Sequence, residues 1–244
     1  MVTRRRLDPG ELATLLRDHE VHLASECRRG RNLELSSVDL RQATLAGLDL
    51  AGCGLTDCDL RGLDLTGVDF FHAWLSGSLL QGATLRGSDL RKTDLTGVSA
   101  RGADLRGASL VRTWAPDADF RAADLSRTDL GYAELLGADL RGAHFEEADF
   151  EQTWLSRAVF DASSWASAFE GAQGNLAAEV DDLVLSGPKN SRALGLDEFL
   201  ATVNANGARL RARDHAEARR EREHKWRWGP LPYEVKAVPP VERT

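Results

Sequence analysis

The amino-acid sequence predicts an all-β solenoid, a chain wound in stacked coils around a filled apolar core. Three observations carry that prediction. Every fifth residue from Leu35 to Phe160 forms one register: of its 26 positions nineteen are Leu, five are Phe (Phe70, Phe120, Phe145, Phe150, Phe160), and only Ala100 and Ala115 are small. The residue two places before each of these is never charged, and it is Ala at 103, 108, 118, 123, 133, 138, 143, 148 and 158. Gly stands two places after in twelve repeats, among them Gly47, Gly82, Gly102 and Gly142. A helix returns to one face after about 3.6 residues and a flat strand after about 2. Five is odd, so an unbroken strand would send successive Leu residues to opposite faces. They stay on one side only if the chain turns a corner once per repeat. A small residue beside the large one suits a narrow core, and Gly suits a corner with positive φ. Lys92, Arg112, Asp117 and Glu147 hold the same place elsewhere, so Gly is not required at every corner.

The elements follow in order. Residues 1–32 form an N-terminal capping segment, in which Leu12, Leu15, Leu16, His19 and Leu23 fall at helical spacing over Gly10 to Cys27. The open end of a solenoid exposes apolar core and unpaired backbone, and a helix across the first coil would cover both. The coiled rod occupies 33–168. Within it the small Ala100 would leave a hole in the core that a larger neighbour is expected to fill. Trp114-Ala115-Pro116 is expected to bend a corner. Residues 169–244 form a C-terminal extension. Leu196, Phe199, Leu200 and Val203 start a helix there that continues, broken near Gly207, into a basic stretch. Arg209 to Arg227 carries eight basic and four acidic residues, and Gly229 to Thr244, with four prolines, is expected to be extended.

Composition narrows the function. With 244 residues and 42% hydrophobic content the chain is globular. No run of about 18 apolar residues predicts a membrane span. The three arginines of Met1 to Arg6 are followed by Leu-Asp-Pro-Gly rather than an apolar stretch, so no secretory signal is read. Three cysteines, Cys27, Cys53 and Cys58, are too few and too odd in number for a disulfide scaffold. A reduced, cytoplasmic protein is the expectation. The formal charge is −7, and residues 33–169 carry twenty-one acids against twelve bases. An acidic rod argues against direct binding to nucleic-acid phosphates.

Ala103-Asp104-Leu105-Arg106-Gly107, Ala123-Asp124-Leu125-Ser126-Arg127 and Ala138-Asp139-Leu140-Arg141-Gly142 resemble the A(D/N)LXX units of the pentapeptide-repeat proteins. The resemblance covers roughly residues 33–168. It implies a right-handed quadrilateral β-helix with four pentapeptides per coil, here with an N-terminal capping helix and a C-terminal helical extension. Twenty-six repeats then make about six and a half coils, a rod about 31 Å long at about 4.8 Å per coil. The resemblance also implies a partner, because some members are DNA mimics that bind type II topoisomerase and protect it against quinolones or a toxin. The mimics' short C-terminal segment mainly makes a dimer, whereas this chain extends 75 residues past 169.

Reading the surface in columns of twenty brings out two stripes. Arg41, Arg61, Gln81, Arg101, Arg121 and Arg141 share one column, beside Asp39, Asp59, Leu79, Ser99, Asp119 and Asp139. They read as a ladder of compensated ion pairs, each contributing about 0–1 kcal/mol, or as a partner-binding stripe through Arg101, Arg121 and Arg141. Trp74, Trp114 and Trp154 share another column, in the outward place where Asp is usual. Exposed tryptophans among acids are interface anchors, unless the chain folds back to cover them. Trp226 and Trp228 follow the basic stretch of the extension and are further candidates.

No catalytic, cofactor or metal site is read. His19-Glu20-Val21-His22 is one residue short of the HExxH zinc motif. Cys53 and Cys58 sit at small inward positions. A filled rod has no cleft to perturb acid–base groups. A site between rod and extension would have His144, His215 or His224 to draw on, unranked. The expected function is a non-catalytic interaction scaffold with a protein partner, and the alternative is a DNA mimic of gyrase or topoisomerase IV. A homodimer through the extension is the expected assembly.

Overall fold

A computed structural model describes residues 4–161, 169–177, 183–186 and 191–212. Trp226, Trp228, His215, His224, most of the basic stretch and the proline-rich end lie outside those residues.

From Val38 to Asp161 one corner repeats. The carbonyl of the inward residue accepts the N–H three residues on, as Ala100 does from Ala103 at 3.0 Å. The third residue of each such turn has positive φ at every corner from Gly47 to Arg157, which is what a type II turn demands. Lys92 (58°), Arg112 (59°), Asp117 (55°) and Glu147 (57°) adopt the same φ as the glycines. The corner therefore requires the conformation and merely prefers the residue, at a cost of about 1 kcal/mol for each non-glycine.

Between corners the chain is extended for a single step and pairs, in parallel, with the chain twenty residues on. One ladder runs Asp49, Asp69, Asp89, Ser109, Asp129, Asp149 and another Gly54, Trp74, Asp94, Trp114, Glu134, Trp154. Twenty residues are four repeats, so each coil has four sides. Of the 26 register positions all but Leu35 are buried, Ala100 and Phe120 included. The positions two before them are buried as well, apart from the partly buried Ala43 and Leu48, and where they carry hydroxyls the oxygen donates to a core carbonyl: Thr93 to Phe70 at 2.8 Å, Thr113 to Leu90 at 2.6 Å, Thr153 to Leu130 at 2.8 Å. No buried hydroxyl in that set is left without an acceptor, as the apolar surroundings require.

The acids that precede the inward residue have a local task. The N–H at the second residue of each turn has no backbone partner, and the carboxylate two residues earlier accepts it. Ala51 donates to Asp49 at 3.1 Å, Thr66 to Asp64 at 3.0 Å, Phe71 to Asp69 at 2.7 Å and Gly131 to Asp129 at 2.9 Å. This also corrects the bend expected at Trp114-Ala115-Pro116. The ladder runs through without a break, with Gly97 donating to the Pro116 carbonyl and Ala115 to that of Glu134, both at 2.9 Å. Trp114 cannot accept as Asp does, but Pro116 has no N–H to be accepted, and its fixed φ suits the second place of the turn.

At the N-terminal end β1 (Arg5–Arg6) adds in parallel to the first coil, and α1 (Pro9–Ala24) follows. Asp8 caps α1, its carboxylate accepting from Gly10 at 2.9 Å. Leu7, Leu12, Leu15 and Leu16 pack against the core. The return to the rod is tight at Gly30, where a Cβ would lie 2.2 Å from the Asp18 carbonyl oxygen. The coil starts with β2 (Glu34–Ser36), β3 (Val38–Asp39) and β4 (Gly54–Thr56), β2 pairing with β4.

His19 is 1% exposed and its Nδ1 accepts the Leu33 N–H at 3.2 Å, tying α1 to the first coil. Burial holds this imidazole below its usual 6.5; the charge of Asp49 opposes the shift, His22 adds to it and the Asn32 amide opposes it. The neutral ring is favoured in the fold, so its contribution is complete above the unfolded value of about 6.5 and declines as pH falls below it. Acidification from about pH 7.5 to about pH 5.5 is expected to speed hydrogen exchange in α1, after correction for intrinsic rates, while the coils keep their protection. Equal protection of α1 at both values would refute this.

At the other end β5 (Thr153–Trp154) and β6 (Val159–Asp161) close the regular coils. The register then slips: Asp149 pairs with Gln173, twenty-four residues on. β7 (Gln173–Ala177) lies between β5 and β10 (Arg209–Ala212), while β8 (Leu183–Ser186) joins β6 to β9 (Ser191–Leu194), which is antiparallel to it. Phe169 stacks on Phe145 at 4.8 Å and meets Phe150 and Phe160 at 5.4 and 5.9 Å. α2 (Leu196–Ala205) turns Phe199, Leu200 and Val203 inward, and Phe199 reaches Phe160 and Phe169 at 5.4 and 5.3 Å. The expected continuation of this helix past Gly207 is a strand at its start. Leu210 is buried between exposed Arg209 and Arg211, the alternation of a strand, and Asn204 clamps both backbone groups of Leu210 at 2.8 Å.

Candidate protein-interaction surface

Four-sided coiling sorts the outward residues by face. On the first face nearly every cation is held by a carboxylate from its own repeat. Arg41 pairs with Asp39 at 2.8 Å, Arg61 with Asp59 at 2.6 Å, Arg121 with Asp119 at 2.6 Å, and Arg141 with Asp139 at 2.5 Å. Arg41 and Arg121 also reach one coil onward, to Asp59 and Asp139, both at 3.5 Å. The ladder holds the carboxyls of Asp39, Asp59 and Asp119 below the usual carboxylate range, in each case chiefly through the guanidinium hydrogen bond. Of the three candidate arginines, Arg121 and Arg141 are therefore engaged, whereas Arg101, beside Ser99, is exposed and has no ion pair among the described residues.

Two faces on, Asp49, Asp69, Asp129 and Asp149 bond only the turn N–H of Ala51, Phe71, Gly131 and Glu151. Burial raises the Asp69 carboxyl, the Phe71 N–H opposes the shift, and Asp89 and Asp49 add to it.

The tryptophan column falls on the face that follows this one along the chain, in the register the sequence indicates. Trp74 and Trp114 are half-buried. Trp154 is 7% exposed and packs with Leu136, and β7 is paired onto its strand, so it is covered by the chain itself rather than presented outward.

The corner leading into that face carries a group that column-reading of the inward register alone does not reveal. Phe71 and His72 are in edge contact at 5.8 Å, and His72 meets Trp74 at 6.2 Å. On the next coil the Arg91 guanidinium and the Lys92 ammonium lie over the Phe71 ring at 5.3 and 5.2 Å, and further along Arg112 lies over Tyr132 at 5.5 Å. Reading the two turn residues in steps of twenty (71 and 72, 91 and 92, 111 and 112, 131 and 132) is the signal that would have found them.

No group of three or more His, Cys, Asp or Glu among the described residues could hold a metal ion. His19 is turned inward and His22 lies in the last turn of α1. Cys53 and Cys58 are buried, and burial raises both thiols. His144 is exposed and follows Asp124 in its ladder. An open groove of about 450 Å³ lies between α1 and the first coils, lined by Leu12, Leu16, Leu40 and Thr44 among others, at the end opposite the C-terminal extension. Among the described residues no helix is long and apolar enough to cross a membrane.

A family profile described as pentapeptide repeats matches in eight copies, over residues 34–70, 73–112 and 123–161. The chain belongs to the pentapeptide-repeat family. Members fold as right-handed quadrilateral β-helices, and the four-sided coils are that architecture. Similar solved pentapeptide-repeat structures include HetL, involved in heterocyst differentiation regulation in Nostoc sp. strain PCC 7120, at 29% identity over 69% of this chain and 81% of that one, TM-score 0.35. A second is alr5209 from Nostoc PCC 7120, at 26% identity over 72% of this chain and 100% of that one, TM-score 0.33. A third is QnrB1, a plasmid-mediated fluoroquinolone resistance protein, at 18% identity over 79% of this chain and 97% of that one, TM-score 0.29. No curated protein matches the chain. The fold assignment rests on the repeat and on the stacked coils themselves rather than on these superpositions.

Proposed function

We propose that this pentapeptide-repeat rod is a rigid, non-catalytic scaffold that presents the Trp74 and Trp114 face to a protein partner. The observation that carries the reading is the pair of half-buried tryptophans, two coils apart on one flat face, in places that elsewhere hold turn-capping acids. Large amphipathic rings in a polar setting are the residues on which interfaces concentrate their binding free energy. A filled core bonded coil to coil suits a spacer, since it leaves little freedom to lose on association. In the same reading α1 and α2 serve as end covers for a rod over 33–168, and the extension from 169 also offers a second contact, including one between two copies.

The test is a pull-down from the native cytoplasm with wild type and with Trp74→Ala/Trp114→Ala, followed by titration of the captured partner. The double change is expected to weaken it by about 30-fold or more, two anchors at roughly 1 kcal/mol each or above. Trp154→Ala, by contrast, is expected to lower stability. A partner held equally by wild type and double variant would overturn the reading.

A second reading is a DNA mimic of gyrase or topoisomerase IV. It is favoured by the column of Asp49, Asp69, Asp129 and Asp149, whose carboxylates bond turn N–H groups and no arginine. It is opposed by the neutralised face bearing Arg41, Arg61, Arg121 and Arg141. Inhibition of supercoiling, with protection of gyrase from a quinolone, would place it first.

A further inference from the structure

We propose that the corner bearing Phe71, His72, Lys92, Arg112 and Tyr132 docks a short acidic segment of a protein partner, its carboxylates on Lys92 and Arg112 and an apolar side chain against Trp74 and Trp114. This rests on the scaffold reading and names the chemistry of its partner.

Charge placement is the first argument. Where an arginine at the second turn position follows an aspartate of its own repeat, that aspartate holds it, as at 41, 61, 106, 121 and 141, whereas Lys92 and Arg112 stand one place later in their turns. That device is missing here. At Arg112 the corresponding place holds Ser109 instead of an acid, and at Lys92 the acid, Asp89, is taken by Arg91. Both cations are exposed, and among the described residues neither has an ion pair. Each lies over an aromatic ring, Lys92 over Phe71 and Arg112 over Tyr132. A ring orients a cation without cancelling its charge.

Independence from the repeat is the second argument. The family profile skips residues 71–72 and 113–122, yet the coil is continuous through both, with His72 donating to the Arg91 carbonyl and Trp114 to that of Thr93, both at 3.0 Å. Folding does not ask for Phe-His at one corner or for Trp114 beside the next, so these departures are surface features without a task in the core.

The kind of partner follows. The rod carries nine more acids than bases over 33–169, so an acidic segment is repelled along most of its length and, among the described residues, meets two uncompensated cations on adjacent coils at this corner. Lys92 and Arg112 sit on adjacent coils, about 4.8 Å apart along the axis, a separation that two carboxylates in one extended segment can bridge. A nucleic acid, with a charge every few ångström, would run past this corner onto acidic faces.

The experiment is selection of a phage-displayed random peptide library on the full-length protein, repeated with Lys92→Glu/Arg112→Glu and with the charge-matched Arg86→Glu/Arg101→Glu. Selected peptides are expected to be rich in Asp and Glu with an aromatic residue, and to bind the first variant at least tenfold more weakly while the second binds as wild type. Both variants should melt like wild type, since every changed side chain is exposed. Acidic peptides indifferent to Lys92→Glu/Arg112→Glu would overturn this docking site and leave the scaffold reading standing. Neutral or basic peptides, no enrichment over a bare support, or a preference for a labelled single-stranded oligonucleotide would overturn the proposed chemistry. The tryptophan pull-down then decides the scaffold reading separately.

Discussion

Phe145→Ala is expected to destabilise the C-terminal half of the rod by about 3–5 kcal/mol, the usual cost of removing a fully buried Phe. Phe145 is 0% exposed and stands where regular coils give way to the extension, stacked on Phe169 at 4.8 Å and tilted against Phe150 at 5.3 Å. Its ring is thus one of the contacts, with Phe150 and Phe160, through which the last coil and the capping layer under α2 share one core. In a solenoid each repeat touches only its neighbours, so the loss should stay local. Denaturant melts followed by hydrogen exchange should show early opening of the 140–160 coils and of α2, with the coils near Leu60 to Leu95 keeping their protection. Leu85→Ala is the comparison. It removes a buried side chain from mid-rod, where coils on both sides remain, at about 2–5 kcal/mol, and should leave α2 protected. Uniform opening of the whole rod in Phe145→Ala would show that the core is one cooperative unit.

The period of five made the rod legible because the inward register is a packing constraint, and the structure buries every member but Leu35. What the period does not encode is the use of the other three residues. The Trp column was found by counting in twenties, yet counting could not show that β7 pairs beside Trp154, because that pairing follows a slip to twenty-four residues at Asp149 and Gln173. Arg209 to Ala212 misled for a related reason: arginine-rich composition suits a helix, and only the pairing with β7 makes its alternation visible as a strand. The cation–aromatic corner went unseen because its members, Phe71, Lys92, Arg112 and Tyr132, occupy the turn positions, where the repeat tolerates almost any residue. Pro116 looked like a fault in the pattern because the rule it obeys, that an outward N–H needs an acceptor, appears only once Asp is seen bonding that N–H elsewhere.

Asp59→Ala tests that rule at the site where the acid is most enclosed, and is expected to cost about 1–3 kcal/mol. The Asp59 side chain is 5% exposed. One of its oxygens accepts the Arg61 N–H at 3.2 Å and Nε at 2.8 Å, the other accepts Nη2 at 2.6 Å, and Arg41 lies 3.5 Å away. Alanine removes the acceptor of a turn N–H and leaves two guanidiniums facing each other across adjacent coils. Since both arginines are nearly half in solvent, their charges are screened and the ion pair itself adds little. The larger share comes from the orphaned N–H. Asp59→Asn separates the two, because its amide oxygen can still accept that N–H, and it should recover more than half of the loss. The same geometry fixes the response to acid. The guanidinium hydrogen bonds hold Asp39, Asp59 and Asp119 below the unfolded carboxyl value of about 3.8, so the folded state binds fewer protons than the unfolded one in that range. Their contribution is complete above about pH 4 to 5 and is lost as pH falls through the lower folded values. Melts taken at pH 7, 4 and 2.5 should therefore show wild type losing stability at the acid end and Asp59→Ala losing less. If the two proteins decline in parallel, the carboxylate of Asp59 is not what the acid removes, and the corner N–H must find its acceptor elsewhere.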